Sequence, residues 1–363
     1  MGKRTTPLYG AGHRAFCSAA LLSLCIIATV PRSSQAQASH PASAAPLAEV
    51  DRLIKEGHPE QAISLLLPFA GKQPPVPGVD AKLGKAYYET RDLSSAIQHL
   101  EVAVKQNSDD WESTQLLAIA DFGSGQVQRA ASLLAAVTPH LTEGQADAEH
   151  LLGLCYMRLQ DFEKARGSFA SMFAVSPDSA MAHFLLGKMM VGQKMDDAAI
   201  PELQKALQLD QRLAMAHFIL GEIDLTRGDS AEALAEFQQE LIVNPSVWLV
   251  YWREGEAYMR LQRYGEAEQA LKQALWLNDS FTGGYLMLGE IELQRDEPGL
   301  ARGFLERAVK LDPQNEYAHF FLGRAYQKLG MAEQSRREFD RQKALRDAKN
   351  VPNAGSEQPK TEN

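Results

Sequence analysis

Hydrophobic residues recur every three to four positions along most of the chain, in short runs separated by glycine, aspartate or proline. Residues 214–225 form one such run; Gly228 and Asp229 follow it, and a second run begins at Ser230. This spacing is typical of amphipathic helices, and glycine with aspartate between two runs is a turn signal. The pattern therefore predicts pairs of helices joined by tight turns.

The helix pair recurs at a constant distance along the chain. One glycine recurs every 34 residues in the first helix, and an alanine follows most of these glycines 12 residues later. A mid-helix glycine costs about 1 kcal/mol relative to alanine, so its recurrence indicates that two helices approach closely there. A constant period indicates one unit repeated in tandem. The glycines are Gly153, Gly187, Gly221, Gly255, Gly289 and Gly323, and the alanines are Ala199, Ala233, Ala267 and Ala301.

These units resemble the tetratricopeptide repeat family, whose signature positions are occupied by Leu220, Gly221, Phe237, Tyr258, Ala267 and Pro313. The resemblance covers residues 46–349 and implies an all-α, right-handed superhelical solenoid of about nine tandem helix-turn-helix repeats. We expect the repeats to begin near residues 43, 77, 111, 146, 180, 214, 248, 282 and 316. Pro68 makes the first repeat atypical. Ser335, Arg336 and Arg337 predict a polar cap at the last repeat, as a one-dimensional array requires.

The first 38 residues have a different composition. Lys3, Arg4 and Arg14 precede an apolar run over residues 15–30, and small residues follow at 36–38. This arrangement predicts a secretory signal peptide cleaved after Ala38, and therefore a periplasmic or secreted protein. An uncleaved anchor is the alternative, although the run is shorter than the roughly 20 residues that span a bilayer. A lipid on Cys25 is a further alternative.

The rest of the chain is organised simply. Residues 39–45 are expected to be a short linker, and residues 350–363, poor in apolar side chains, are expected to be a disordered tail. Loss of the signal peptide removes four basic residues and takes the net charge from −9 to −13, which disfavours nucleic acid as a partner. No integral membrane span is expected after cleavage.

Motifs of enzymes, metal sites and cofactor sites are missing from the sequence. We therefore expect no enzymatic activity, no metal and no cofactor. His183 and His217 lie one repeat apart and raise the alternative of a metal site, but they occupy the large aromatic packing position of the family. Cys155 lies among apolar residues and is interpreted as a buried thiol.

The resemblance implies that the first helices line a concave groove through their second, fifth, ninth, twelfth and thirteenth positions. These positions are mostly apolar, with carboxylates at the ninth, and such a surface is typical of a partner site. The predicted groove residues are Met181, Phe184, Met215, Phe218, Glu222, Leu249, Trp252, Glu256, Met259, Leu286, Glu290 and Phe320.

The expected ligand is an extended or helical protein segment with apolar side chains, which the carboxylates could hold through backbone amides or basic side chains. On this interpretation, alanine at Phe218 or Trp252 abolishes binding and leaves melting unchanged. Two alternatives stay open: the fifth-position rings pack between first helices, or the acidic row is a solvated face. A homo-oligomer that associates through this groove or through its ends is the competing function. An enzyme built from His183, His217 and the acidic row is the third hypothesis.

Overall fold

The structure is a computed structural model that describes residues 44–141 and 144–349. The predicted signal peptide, residues 1–38, and the predicted tail, residues 350–363, lie outside the described residues. The first helix begins at Ala44, so the last two residues of the predicted linker 39–45 are helical.

Eighteen α-helices account for most of the described residues, and no β-strand occurs among them. The helices are α1 Ala44–Lys55, α2 Pro59–Leu66, α3 Val79–Glu89, α4 Leu93–Gln106, α5 Trp111–Gly123, α6 Val127–Val137, α7 Gln145–Arg158, α8 Phe162–Met172, α9 Ala180–Gly192, α10 Asp196–Leu209, α11 Ala216–Arg227, α12 Ser230–Val243, α13 Trp248–Arg260, α14 Tyr264–Leu277, α15 Thr282–Gln294, α16 Pro298–Leu311, α17 Glu316–Lys328 and α18 Ala332–Lys349. Helix α2 runs into a 3-10 turn, Leu67–Phe69, that contains Pro68.

The helices form nine consecutive hairpins. Each odd-numbered helix from α3 to α17 packs on the even-numbered helix that follows it, and each hairpin packs on the next. Helices α1 and α2 share a hydrophobic cluster that contains Val50 and Leu66. We call the odd-numbered helices the first helices and the even-numbered ones the second helices. The first helices of neighbouring hairpins also contact one another, as α11, α13, α15 and α17 do in succession. The predicted all-α solenoid of about nine repeats is confirmed.

The turn inside each hairpin contains one residue with a positive φ angle. An L-residue pays a steric penalty in this left-handed region, whereas glycine does not. Four of the nine turns use glycine and five use another residue. The residues are Gly57, Arg91, Gly125, Gln160, Lys194, Gly228, Gln262, Asp296 and Gly330.

The repeated mid-helix glycine marks the closest approach between the two helices of a hairpin. A Cβ atom on Gly221 would lie 2.5 Å from the ring of Phe237, and one on Gly187 would lie 2.8 Å from Leu203. The carbonyl oxygen of Ala199 would be 3.3 Å from the latter Cβ. The glycine therefore makes room for a large side chain of the second helix as well as for the alanine.

The last hairpin differs from the predicted polar cap at one position. Arg336, Arg337 and Lys343 are exposed on α18, as a solvated end requires. Ser335 is buried, and its hydroxyl donates a hydrogen bond of 2.9 Å to the carbonyl of Gly323. Ser335 occupies the position of the repeated alanine and faces its own hairpin, so its polarity serves that internal contact.

Candidate functional site: the face of the first helices

The aromatic residues at the fifth repeat position differ widely in accessibility. Phe184 is 9% exposed and Phe218 is 7% exposed, and both belong to the hydrophobic core. The ring of Phe218 packs 5.9 Å from the ring of Phe237, centroid to centroid. Trp252 and Leu286 are half-buried, and Phe320 is exposed. The five residues therefore occupy equivalent positions in successive repeats, but Phe184 and Phe218 are part of the core and present little surface to a partner.

The second and twelfth positions flank this row. Met181 is exposed, whereas Met215, Leu249 and Met259 are half-buried and pack against the core of the sixth and seventh hairpins. These thioethers and alkyl groups leave part of their surface open to solvent. The open apolar surface is thus concentrated in separate places along the first helices.

Trp252 lies at the centre of an aromatic cluster. Its ring is 5.1 Å from the ring of Phe281 and 6.5 Å from the ring of Trp248, and these two partners lie 4.6 Å apart. The indole N–H of Trp252 donates to the sulfur of Met287 at 3.1 Å. Sequence reasoning missed Trp248 and Phe281, although the four-residue spacing of Trp248 and Trp252 places them on one helix face.

A cation sits between two of the predicted carboxylates. The Arg253 guanidinium donates to Glu256 at 2.7 Å and to Glu222 on the preceding first helix at 2.9 Å. The same guanidinium lies 4.1 Å from the centroid of the Trp252 ring, which is a cation–π distance. Arg260 donates to Glu256 at 2.7 Å and to the carbonyl of Leu225 at 2.6 Å.

These contacts change the interpretation of the acidic row. Glu222 and Glu256 are already paired with arginines, so they do not stand as two uncompensated charges. Burial raises the pKa of Glu222 above its ordinary value, although the Arg253 charge opposes the change. Burial also raises the pKa of Glu290, and Arg324 opposes it. Two carboxylates of the acidic row are therefore paired with arginines of this chain, and Glu222 and Glu290 are partly desolvated.

The two histidines of the alternative metal site have different partners. His183 Nδ1 lies 2.6 Å from Glu202, and His217 Nδ1 lies 2.6 Å from Glu236, each within its own hairpin. Among residues 44–141 and 144–349, no cluster of three or more histidine, cysteine, aspartate or glutamate side chains has the geometry of a metal site. Cys155 is buried, and burial raises the pKa of its thiol to about 11.

Among the helices of the described residues, none combines the length and the apolar character that crossing a bilayer requires.

The repeat pattern also matches a known family. The family model for the tetratricopeptide repeat matches residues 150–214 and 220–284. No curated protein matches the sequence. The fold and the repeated hairpin define an all-helical repeat protein of the kind that mediates protein–protein interactions. Residues 150–214 and 220–284 are therefore similar to the tetratricopeptide repeat family, and the hairpins on either side of them repeat the same architecture.

Solved structures align with parts of the chain. MamA from Desulfovibrio magneticus RS-1 is 17% identical, covering 48% of this chain and 98% of its own, with a TM-score of 0.46. PilF of Pseudomonas aeruginosa is 20% identical, covering 55% and 91%, with a TM-score of 0.46. PilW, a type IV pilus biogenesis factor, is 19% identical, covering 55% and 92%, with a TM-score of 0.45.

Proposed function

We propose that this protein is a non-enzymatic scaffold of the cell envelope that binds an apolar, extended or helical segment of a partner protein along its first helices. The observation that carries this proposal is the half-exposed Trp252, set in an aromatic cluster and covered on one side by Arg253. Tryptophan and arginine are the residue types most enriched among binding hot spots.

The surroundings of Trp252 hold it in one orientation before a partner arrives. The contacts to Phe281, Met287 and the Arg253 guanidinium restrict the indole on several sides. A side chain that is already ordered loses less conformational entropy on binding, which favours affinity. The Trp252 cluster is therefore suited to act as a rigid anchor for an apolar side chain of the partner.

The charges near Trp252 narrow the choice of partner. Because Arg253 and Arg260 compensate Glu222 and Glu256, the surface carries both signs and no longer favours a basic segment. The carboxylates and guanidinium groups can still exchange hydrogen bonds with the backbone of an extended segment. This surface therefore favours a partner segment with apolar side chains, whose backbone forms hydrogen bonds with the carboxylates and guanidinium groups.

The non-enzymatic part of the proposal rests on the surroundings of the three candidate reactive side chains, Cys155, His183 and His217. Cys155 is buried with a raised pKa, so its thiolate is disfavoured as a nucleophile. His183 and His217 each bind a glutamate of their own hairpin. The envelope setting rests on the N-terminal pattern of basic, apolar and small residues up to Ala38. N-terminal sequencing of the protein from a cell fractionation tests that setting.

Affinity capture from an envelope extract tests the groove. The full chain, the variant Trp252→Ala and the control Leu300→Ala serve as baits, because Leu300 is an exposed apolar residue on a second helix. Quantitative mass spectrometry is expected to find proteins retained by the wild type and the control and lost from Trp252→Ala. Equal capture by all three baits, with unchanged helicity, would reject the groove as the binding site.

Self-association is the second candidate function. On α17 the side chains of Tyr317 and Phe320 are exposed next to each other on one helix, and Phe321 packs against Phe320. Such an apolar patch favours burial against another surface. Light scattering over a concentration series separates the two functions: a dimer that Phe320→Ser dissociates supports self-association, and a monomer at all concentrations rejects it.

A further inference from the structure

The sixth hairpin begins differently from its neighbours. Helices α9, α13, α15 and α17 each start at the first residue of the repeat, whereas α11 starts at Ala216, the third residue of its repeat. Met215, the residue before α11, has a φ angle of 68° in the left-handed region. The segment between α10 and α11, residues 210–215, is therefore two residues longer than the segments that precede α13, α15 and α17.

A buried carboxylate holds this segment in place. Glu240 on α12 has no exposed surface, and it accepts hydrogen bonds from the backbone N–H groups of Met215 at 2.8 Å and Phe218 at 3.3 Å. The side-chain amide of Asn244 donates to the same carboxylate at 2.5 Å. Because these donors fix the start of α11, the shape of the surface beside it is defined.

A pocket of about 490 Å³ opens next to this segment, between the second helices α10 and α12. Leu207, Ile242 and Val243 form its apolar wall. Its polar lining consists of Gln211, Arg212, His217 and Gln239. The pocket lies on the side of the second helices and shares no residue with the Trp252 cluster.

Apolar surface continues from the pocket along the array. Ile242 is 74% exposed, and Trp276, which occupies the same repeat position on α14, is 77% exposed. Because stacked hairpins bring equivalent positions to the same side, these two side chains belong to one row. Leu209, one residue beyond the equivalent position on α10, is also exposed and extends this apolar surface. The row is longer than the pocket, so its surface fits an elongated ligand.

The pocket carries a positive charge, Arg212, although the whole chain is negatively charged. Arg212 is exposed, and no acidic side chain among the described residues forms an ion pair with its guanidinium, while the Asp210 carboxylate accepts the backbone N–H of Arg212. His217 uses Nδ1 for Glu236, which leaves Nε2 as its second polar atom. In a protein of net charge −9, an uncompensated guanidinium beside an apolar wall is complementary to a carboxylate with an apolar neighbour.

We infer that this pocket and the row from Leu209 to Trp276 form a second docking surface, for a peptide segment of a partner protein that carries a large apolar side chain next to an aspartate or glutamate. The apolar side chain enters between Leu207 and Ile242, and the carboxylate pairs with Arg212. The rest of the segment follows the row toward Trp276. This surface is independent of the groove on the first helices.

The test uses random dodecapeptides displayed on phage, fused through their C-termini so that only side-chain carboxylates are available. The full chain is the bait, and enriched peptides are then made synthetically and titrated by fluorescence anisotropy. We expect peptides with aspartate or glutamate beside leucine, isoleucine or phenylalanine. Enrichment of peptides without an acidic residue would overturn the inference.

Variants locate the bound peptide. Arg212→Glu and Ile242→Ser are expected to weaken it by at least about tenfold, because they invert the charge and remove the apolar wall. The matched control Arg336→Glu, on an exposed arginine of α18, and the groove variant Trp252→Ala are expected to leave affinity unchanged. Loss with Trp252→Ala alone would place the peptide in the groove and overturn this inference without affecting the groove proposal.

Hydrogen exchange and sedimentation velocity distinguish loss of peptide binding from loss of stability and from self-association. Hydrogen exchange on the wild-type chain is expected to show peptide-dependent protection in residues 207–217 and 239–243, whatever the stability of the variants. Sedimentation velocity reports whether two copies of the chain associate. A dimer that Ile242→Ser dissociates, with no protection by peptide, would assign the surface to a second copy and contradict the inference.

Discussion

The Nδ1 atom of His183 on α9 lies 2.6 Å from Oε2 of Glu202 on α10, so a polar bridge joins the two helices of the fifth hairpin. The same positions carry the same pair in the sixth and ninth hairpins, and the second hairpin has the residue types exchanged. These pairs are His217 with Glu236 at 2.6 Å, His319 with Glu338 at 2.6 Å, and Asp80 with His99 at 2.9 Å. The position that the family fills with a large aromatic residue is here a recurrent polar link.

Removing one member of the bridge should destabilise its hairpin. We expect Glu202→Ala to lower the free energy of unfolding by about 1 to 3 kcal/mol, because it leaves the largely buried His183 ring without its partner. Urea denaturation followed by circular dichroism measures the change. Gln204→Ala, an exposed neighbour on α10, is the control and should stay within about 0.5 kcal/mol of the wild type. Equal losses in both variants would mean that the bridge contributes nothing specific.

Phe218 and Trp252 are expected to respond differently to alanine. Phe218 is buried against Phe237, so Phe218→Ala should cost about 3 to 5 kcal/mol of stability. This corrects the expectation from sequence that both substitutions leave melting unchanged. Trp252 is half-buried, and Trp252→Ala should cost about 1 to 2 kcal/mol. Thermal melts of the two variants compare these losses of stability. A Phe218→Ala protein as stable as Trp252→Ala would contradict the burial of Phe218.

The repeated units could be predicted from sequence because their causes are local and recur. Gly187 and Gly221 mark close helix approach, and each faces a large side chain sixteen residues later in the same hairpin. The periodic apolar residues and the turn residues such as Gly228 act over similarly short distances. Helix pairing and the number of repeats follow from these signals.

The chemistry of the candidate site depends on contacts between hairpins, which no local pattern contains. Arg253 pairs with Glu222 across 31 residues of sequence, and only the stacking of α11 on α13 brings them together. The burial of Phe218 likewise depends on neighbouring helices. The late start of α11 had no signal, since residues 210–216 contain neither glycine nor proline. Their conformation is held by Glu240, a residue of the following helix.

The left-handed turns offer a stabilising substitution. Lys194 adopts a φ angle of 60° at the position where the sixth hairpin has Gly228. Lys194→Gly relieves the steric cost of a β-carbon there, and after the greater entropy of unfolded glycine is deducted we expect a gain of about 0.5 kcal/mol. Gly228→Ala is the opposite substitution at the equivalent position and should cost about 1 kcal/mol. Melting temperatures of the two proteins should shift in opposite directions, and a fall with Lys194→Gly would contradict the argument.

Asp121 makes stability depend on pH. Its side chain on α5 has no exposed surface, and Arg129 lies 3.1 Å away while also binding Glu101. Burial raises the pKa of Asp121 from 3.8 to about 6, with the Arg129 charge opposing the rise and Glu101 adding to it. Since the folded protein binds this proton more tightly than the unfolded chain, the proton stabilises the fold at low pH. That contribution is lost as the pH rises from about 4 to about 6.

The variant Asp121→Asn tests this linkage, because asparagine has the same shape and does not titrate. The free energy of unfolding of Asp121→Asn minus that of the wild type should increase between pH 4 and pH 7, by at most about 3 kcal/mol. Arg129 keeps Glu101 as a partner in the variant, which limits the loss from the missing ion pair. Asp109→Asn, at an exposed position nearby, should show no such trend. Urea titrations at pH 4, 5, 6 and 7 measure the difference, and a constant or decreasing value would show that the Asp121 carboxyl is not destabilised by its burial.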